Sequence, residues 1–240
     1  MSNGAEGLIS IVIINPNSSQ SMTTALEPIL ANLTHPALSL RYHTGPDQSP
    51  PSVNDSTTSV LSAAHTFASL QTFLGEAEDH QVDAFLVACF SDHPLVGMLR
   101  EHTTKPVLGI FEASIMHALA LGRPFGVVTT GQYWEAALTD GVRSRFGSAD
   151  LGGAFVGVES TGMSALELHE ARAEIVTGAL GVAAAKIVGR GARTIIMGCA
   201  GMSGMERAIR GGCAGEQVVV VDAVRSGVTV LEGLVRAMRD

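Results

Sequence analysis

Two cysteines of this chain each close a short apolar run. Cys89 ends Val82-Asp83-Ala84-Phe85-Leu86-Val87-Ala88-Cys89 and opens into Phe90-Ser91-Asp92. Cys199 ends Arg193-Thr194-Ile195-Ile196-Met197-Gly198-Cys199 and opens into Ala200-Gly201-Met202. Each turn leads into a segment that reads as a helix. A thiol so placed lies at the carboxyl end of a strand, where open α/β sheets bind ligands. It also lies at the positive end of a helix, which stabilises a thiolate. Two such thiols facing one pocket would supply a proton donor and a proton acceptor. Cys213 lacks the strand-then-turn setting and reads as a small buried hydrophobe.

Other residues of the right chemistry follow strands. Asn15-Pro16-Asn17 ends the first apolar run, and Thr129-Thr130 ends a later one. Each has a plainer reading: a strand-terminating turn for the first and a helix cap for the second. Glu112 and Asp222 read as helix caps. His93 lies four residues past Cys89, but reads as a packing or surface histidine rather than a partner of the thiol. The remaining histidines show no clustering, and no metal site is expected. Three unevenly spaced cysteines argue against a disulfide framework and a zinc cluster. Neither Lys105 nor Lys186 is placed for a Schiff base, and no phosphate-binding or dinucleotide glycine motif appears. No cofactor is expected.

The elements that must position these residues alternate. Strands are expected at 9–14, 37–43, 84–88, 107–110, 125–129, 154–158, 194–198 and 218–221. Helices are expected at 21–32 (interrupted by Pro28), 60–80, 93–101, 114–121, 132–146, 166–189, 204–210 and 228–238. The 45–59 stretch is rich in Pro, Ser, Asn and Asp and is a candidate lid or binding loop. This order predicts an α/β protein with mostly parallel sheets and right-handed crossovers. The 240 residues include 46% hydrophobic types and 27 glycines, as suits a compact chain with tight turns. A net charge of −8 argues against a nucleic-acid partner. No apolar run nears the roughly 18 residues of a membrane span, and no signal peptide is evident, so a cytoplasmic protein is expected.

The order also restarts half-way. Ile11 to Asn17 aligns with Phe125 to Gly131, and Cys89 aligns with Cys199. Both Cys89 to Glu112 and Cys199 to Asp222 span 23 positions. Duplication implies two similar sheets facing across a cleft. Asn15, Cys89, Thr129, Thr130 and Cys199 would then line one pocket.

The segments Ile14-Asn15-Pro16-Asn17-Ser18-Ser19, Ala88-Cys89-Phe90-Ser91-Asp92, Val127-Val128-Thr129-Thr130 and Gly198-Cys199-Ala200-Gly201-Met202 resemble the hydantoin and allantoin racemases. These belong to the aspartate/glutamate racemase superfamily, and the resemblance runs nearly the whole chain. It implies a cofactor-independent racemase with two pseudo-symmetric domains, each a mostly parallel four-stranded sheet flanked by helices, and the active site between them. It implies catalytic roles for Cys89 and Cys199. The family's final strand and helix return to the first domain, which gives domains 1–113 plus 217–240 and 114–216. The two thiols would exchange a proton across a carbon next to a carbonyl. Backbone N–H groups at Phe90, Ser91, Ala200 and Gly201, with the Thr129 and Thr130 hydroxyls, would stabilise the enolate. The Asn15 amide would pair with a ring imide, and Phe90 would lie against the ring or pack. A small-molecule substrate and a homo-oligomer are expected.

The resemblance is not uniform. Amino-acid racemases carry Cys-Asn-Thr and Gly-Cys-Thr where this chain has Cys89-Phe90-Ser91 and Gly198-Cys199-Ala200. Arylmalonate decarboxylases keep only the second cysteine. The readings left open are an aspartate/glutamate-type racemase, a maleate isomerase-like or decarboxylase-like enzyme, and a two-lobed small-molecule-binding protein.

Overall fold

The computed structural model describes residues 7–74 and 82–239. It contains two four-stranded parallel sheets. The first holds β1 (Ile9–Asn15), β2 (Leu38–Thr44), β3 (Ala84–Val87) and β4 (Val107–Gly109), in the order β2-β1-β3-β4. The second holds β5 (Phe125–Thr129), β6 (Phe155–Ser160), β7 (Thr194–Gly198) and β8 (Val219–Asp222), in the order β6-β5-β7-β8. The central strands β1 and β5 are buried along their whole length. Their mainly apolar sequences reflect parallel sheets covered on both faces.

The period of two along β1 decides what each face packs against. Ile9, Ile11 and Ile13 join a central core that also takes Phe125 and Val127 from β5. Val12 and Ile14 face outward into a core with Ala63, Leu70, Leu95 and Leu99. Val128 faces its own outer core with Leu180, Ala184 and Ile187. The two sheets thus share one apolar interior.

Two helices exchanged between the halves fill that interior. The helix Ile110–Ala120 leaves β4 and reaches β7 and β8. The helix Ala223–Met238 leaves β8 and packs on β1, β3 and β4. Gly227 permits this contact: a Cβ there would sit 2.5 Å from a Leu86 methyl.

The structure changes several sequence expectations. Val219–Asp222 pairs with β7, from Thr194↔Val219 to Met197↔Asp222. The strand of the 217–240 segment therefore belongs to the second sheet, while its helix covers the first. The helix expected at 114–121 starts at Ile110, directly after β4. The long helix expected at 166–189 is two, Ala165–Glu170 and Ala173–Gly189, because Ala171 is extended between them. The helix expected at 60–80 runs Ser56–Ser69, then Gln71–Leu74. The rest of that expectation lies outside the described residues. The 45–59 stretch, expected as a candidate lid or binding loop, is anchored, and its Val53 lines a cavity between the halves. Gly45 donates to the Asn15 carbonyl, and Ser18 N–H donates to the Pro50 carbonyl. Asp55 caps the helix that follows. Among the described residues, no helix is long and apolar enough to cross a membrane.

Candidate active site

The sheet registers place the two cysteines equivalently. Val87 pairs with Ile14 and Gly109, and Met197 pairs with Val128 and Asp222. Each cysteine stands two residues past that rung. The same registers match Asn15 with Thr129, so the alignment of the first strands holds. The equal 23-residue spacing does not. The rung equivalent to that of Asp222 is Gly109, not Glu112, so the second half has three more residues between its cysteine and that rung.

Both thiols are half-buried and line one cavity of about 200 Å³ between the halves. Of the residues expected there, Asn15, Phe90, Thr130, Ala200 and Gly201 also line it. Ser91 and Thr129 are not among its lining residues. Ser91 lies behind Cys89, its hydroxyl 3.6 Å from the sulfur. The Thr129 hydroxyl donates to the Gly198 carbonyl at 2.9 Å and is spent on holding β5 to β7.

Asn15 is present but not available. Its amide nitrogen donates to Asn17 Oδ1, the Ser19 carbonyl and Thr23 Oγ1, at 2.9 to 3.1 Å. Its oxygen accepts the Asn17 N–H. The amide folds the Asn15–Ser19 turn and has no N–H left to donate to a ring imide. Asn17 was not singled out by sequence, yet it lines the cavity. Its oxygen takes Asn15 and Ser19 N–H groups, and its amide nitrogen makes one weak contact to the Met22 sulfur at 3.4 Å. Among the described residues, one Asn17 N–H is left over. The Thr130 hydroxyl has no intramolecular hydrogen bond among the described residues. Phe90 packs edge-to-face on Phe111, with ring centroids 5.4 Å apart.

The turns after the cysteines differ. Cys199 caps a single 3-10 turn, Ala200–Met202. Cys89 is followed by a bend, and the helix Pro94–Arg100 begins five residues later. Its cap is His93, whose Nδ1 accepts the Leu95 N–H at 3.3 Å. A helix end therefore supports Cys199 but not Cys89. His93 is fully buried, and burial pushes its pKa down to about 4. It is a neutral cap, with Nε2 3.0 Å from the Ser62 hydroxyl.

The expectation of stabilised thiolates is also corrected. Burial pushes the Cys89 thiol up to about 12, partly offset by the Ser91 hydroxyl and reinforced by Cys199. Burial likewise raises Cys199, against the pull of the Gly201 and Met202 N–H groups. Closure of the two halves removes water from both sulfurs, and this outweighs the local donors. The coupling means that one thiolate opposes the other. At each sulfur, burial favours the thiol over the thiolate.

The remaining walls are mostly apolar: Met22, Leu26, Ile29, Val53, Trp134 and Met205. Ser203 and His169 add polar atoms, but among the described residues no lysine or arginine lines the cavity. Among the described residues, no three His, Cys, Asp or Glu side chains group as a metal site.

Residues 11–231 match the family model for Asp/Glu/hydantoin racemase. The chain belongs to this family. It is 40% identical to an uncharacterized protein of Schizosaccharomyces pombe, over 95% of this chain and 93% of that one. It is 33% identical to a hydantoin racemase of Rhizobium meliloti, over 95% of this chain and 89% of that one. Among solved structures, allantoin racemase from Pseudomonas fluorescens superposes with a TM-score of 0.79 at 27% identity, covering 95% and 92% of the two chains. As a member of this racemase family, the chain keeps the pseudo-symmetric pair of sheets that such structural neighbours share.

Proposed function

We propose that this protein is a cofactor-independent racemase of five-membered cyclic ureides, of hydantoin or allantoin type, working by proton exchange between Cys89 and Cys199. The observation that carries this reading is the placement of two thiols at equivalent positions, each two residues past the same rung of its sheet, at one cavity. Racemisation next to a carbonyl needs a base on one face of the carbon and an acid on the other. The roles swap for the reverse direction. One thiolate would take the C5 proton, leaving its electron pair in an enolate. The opposite thiol would return a proton to the other face. The product has the opposite configuration, and the two sulfurs have exchanged protonation states.

The raised thiol pKa values fit this task. A carbon acid demands a strong base, and a thiolate lifted by desolvation is a stronger one. Asn17 and Thr130 hold donor hydrogens that suit the ring carbonyls and the charge that develops on them. The absence of lysine and arginine from the lining favours an uncharged ring over a free amino acid. An α-carboxylate in this apolar cavity would lack a cationic partner.

Polarimetry of single enantiomers of 5-substituted hydantoins and of allantoin tests the reading. The wild type is expected to racemise at least one of them. Cys89→Ser and Cys199→Ser are each expected to lose that activity by 100-fold or more, the scale of a lost general acid or base. Full activity in either variant overturns the mechanism.

A further inference from the structure

Asp222 ends β8 and caps the final helix. Its Oδ1 accepts the Val224 and Arg225 N–H groups at 2.9 and 3.0 Å. The same oxygen lies 3.1 Å from the Ser203 hydroxyl, which donates to it. Oδ2 is buried without a hydrogen-bond partner among the described residues. An oxygen that already accepts two backbone N–H groups has no room for a proton of its own. A proton taken up by this carboxyl would go to Oδ2. Oδ1 is therefore an acceptor in both protonation states, and the Ser203 hydrogen points at it in both. A hydroxyl has one hydrogen and two lone pairs. Ser203 lines the cavity, and with its hydrogen held behind the wall it can offer a ligand only lone pairs.

From this geometry we infer that Ser203 determines specificity as an acceptor-only contact that reads a ligand N–H, with Asp222 as its positioning residue. The inference rests on the cyclic-ureide reading and narrows it. Such a ring carries two N–H groups, and Ser203 takes one of them. A ligand that turns a carbonyl or carboxylate oxygen to this position meets lone pairs and is rejected. Buried polar groups built for one partner discriminate strongly against an analogue that cannot pair. The same logic assigns the two kinds of ring polar group to two walls. Carbonyl oxygens face the spare hydrogens of Asn17 and Thr130, and an N–H faces Ser203.

Titration calorimetry with 5-methylhydantoin and its N1-methyl and N3-methyl derivatives tests this. The wild type is expected to bind one methylated isomer about tenfold more weakly than the parent. Ser203→Ala is expected to bind the parent as weakly as the wild type binds that isomer, and to lose the preference. The fall in parent affinity separates a lost hydrogen bond from a methyl clash, which would leave parent binding intact. Asp222→Asn keeps an oxygen at Oδ1 and is expected to retain the preference. Equal binding of parent and both isomers by the wild type overturns the inference alone. So does unchanged parent affinity in Ser203→Ala, or loss of the preference in a folded Asp222→Asn protein. Failure of the parent to bind at all overturns the ring reading and the inference with it.

Discussion

Cys89 and Cys199 occupy the same position in two copies of one sheet, each two residues beyond a rung, Val87↔Gly109 or Met197↔Asp222. Both line one cavity, and the ionisation of Cys199 raises Cys89. The pair is chemically symmetric in kind but not in support. Cys199 has the Gly201 and Met202 N–H groups, and Cys89 has the Ser91 hydroxyl.

That electrostatic state fixes a pH dependence. Burial raises both thiols, so the singly ionised form is scarce at pH 7 and grows with pH. We expect kcat/KM to climb steadily from pH 6 to 9, approaching tenfold per unit while both thiols remain protonated. A profile of initial rates checks this, corrected for the spontaneous racemisation of hydantoins in base. A flat profile between pH 6 and 8 would mean that the thiolate forms at neutral pH.

Gly198 sits immediately before Cys199 and presses on β5. A Cβ there would lie 2.6 Å from Val127 Cγ1 and 2.8 Å from the Val128 carbonyl oxygen. The Gly198→Ala protein must move β7 or β5. Overpacking of this kind costs about 1–3 kcal/mol. We expect a lower denaturation midpoint together with a large fall in kcat, because the displaced strand carries the sulfur. Wild-type kcat in Gly198→Ala would show that the position of Cys199 is not critical.

His93 is predicted to matter for folding alone. It lies near Cys89 in sequence, but its ring is neutral and engaged by Leu95 and Ser62. Asn at this position can also cap a helix. His93→Asn should shift the thermal midpoint down by a few degrees and leave the shape of the pH–rate profile unchanged. A changed profile would place His93 in the proton path.

The repeat was legible in sequence because inner parallel strands buried on both faces must be mainly apolar runs, and each half places two of them, β1 and β3 or β5 and β7, at matching points in its order. The positions of the thiols were legible for the same reason: a polarisable small residue just past such a run has to sit at the sheet's carboxyl edge. Asn15 shows the limit. Its residue type suited a ring imide, but its partners, Asn17, Ser19 and Thr23, are fixed by how the turn folds. The spacing of 23 matched by chance, because three extra residues in the second half moved Gly109 rather than Glu112 into register with Asp222. The direction of the thiol shifts was also hidden. It follows from the burial of both thiols where the two halves meet, which no local pattern encodes.

The central claim is that the two sulfurs act on opposite faces of one carbon. The most direct measurement is deuterium incorporation at C5 in heavy water, followed by proton NMR on each pure enantiomer with Cys89→Ser and Cys199→Ser. The account predicts that any exchange surviving above background in one variant involves one enantiomer, and in the other variant the opposite enantiomer. Exchange of both enantiomers by a single variant, at the wild-type rate, would contradict it.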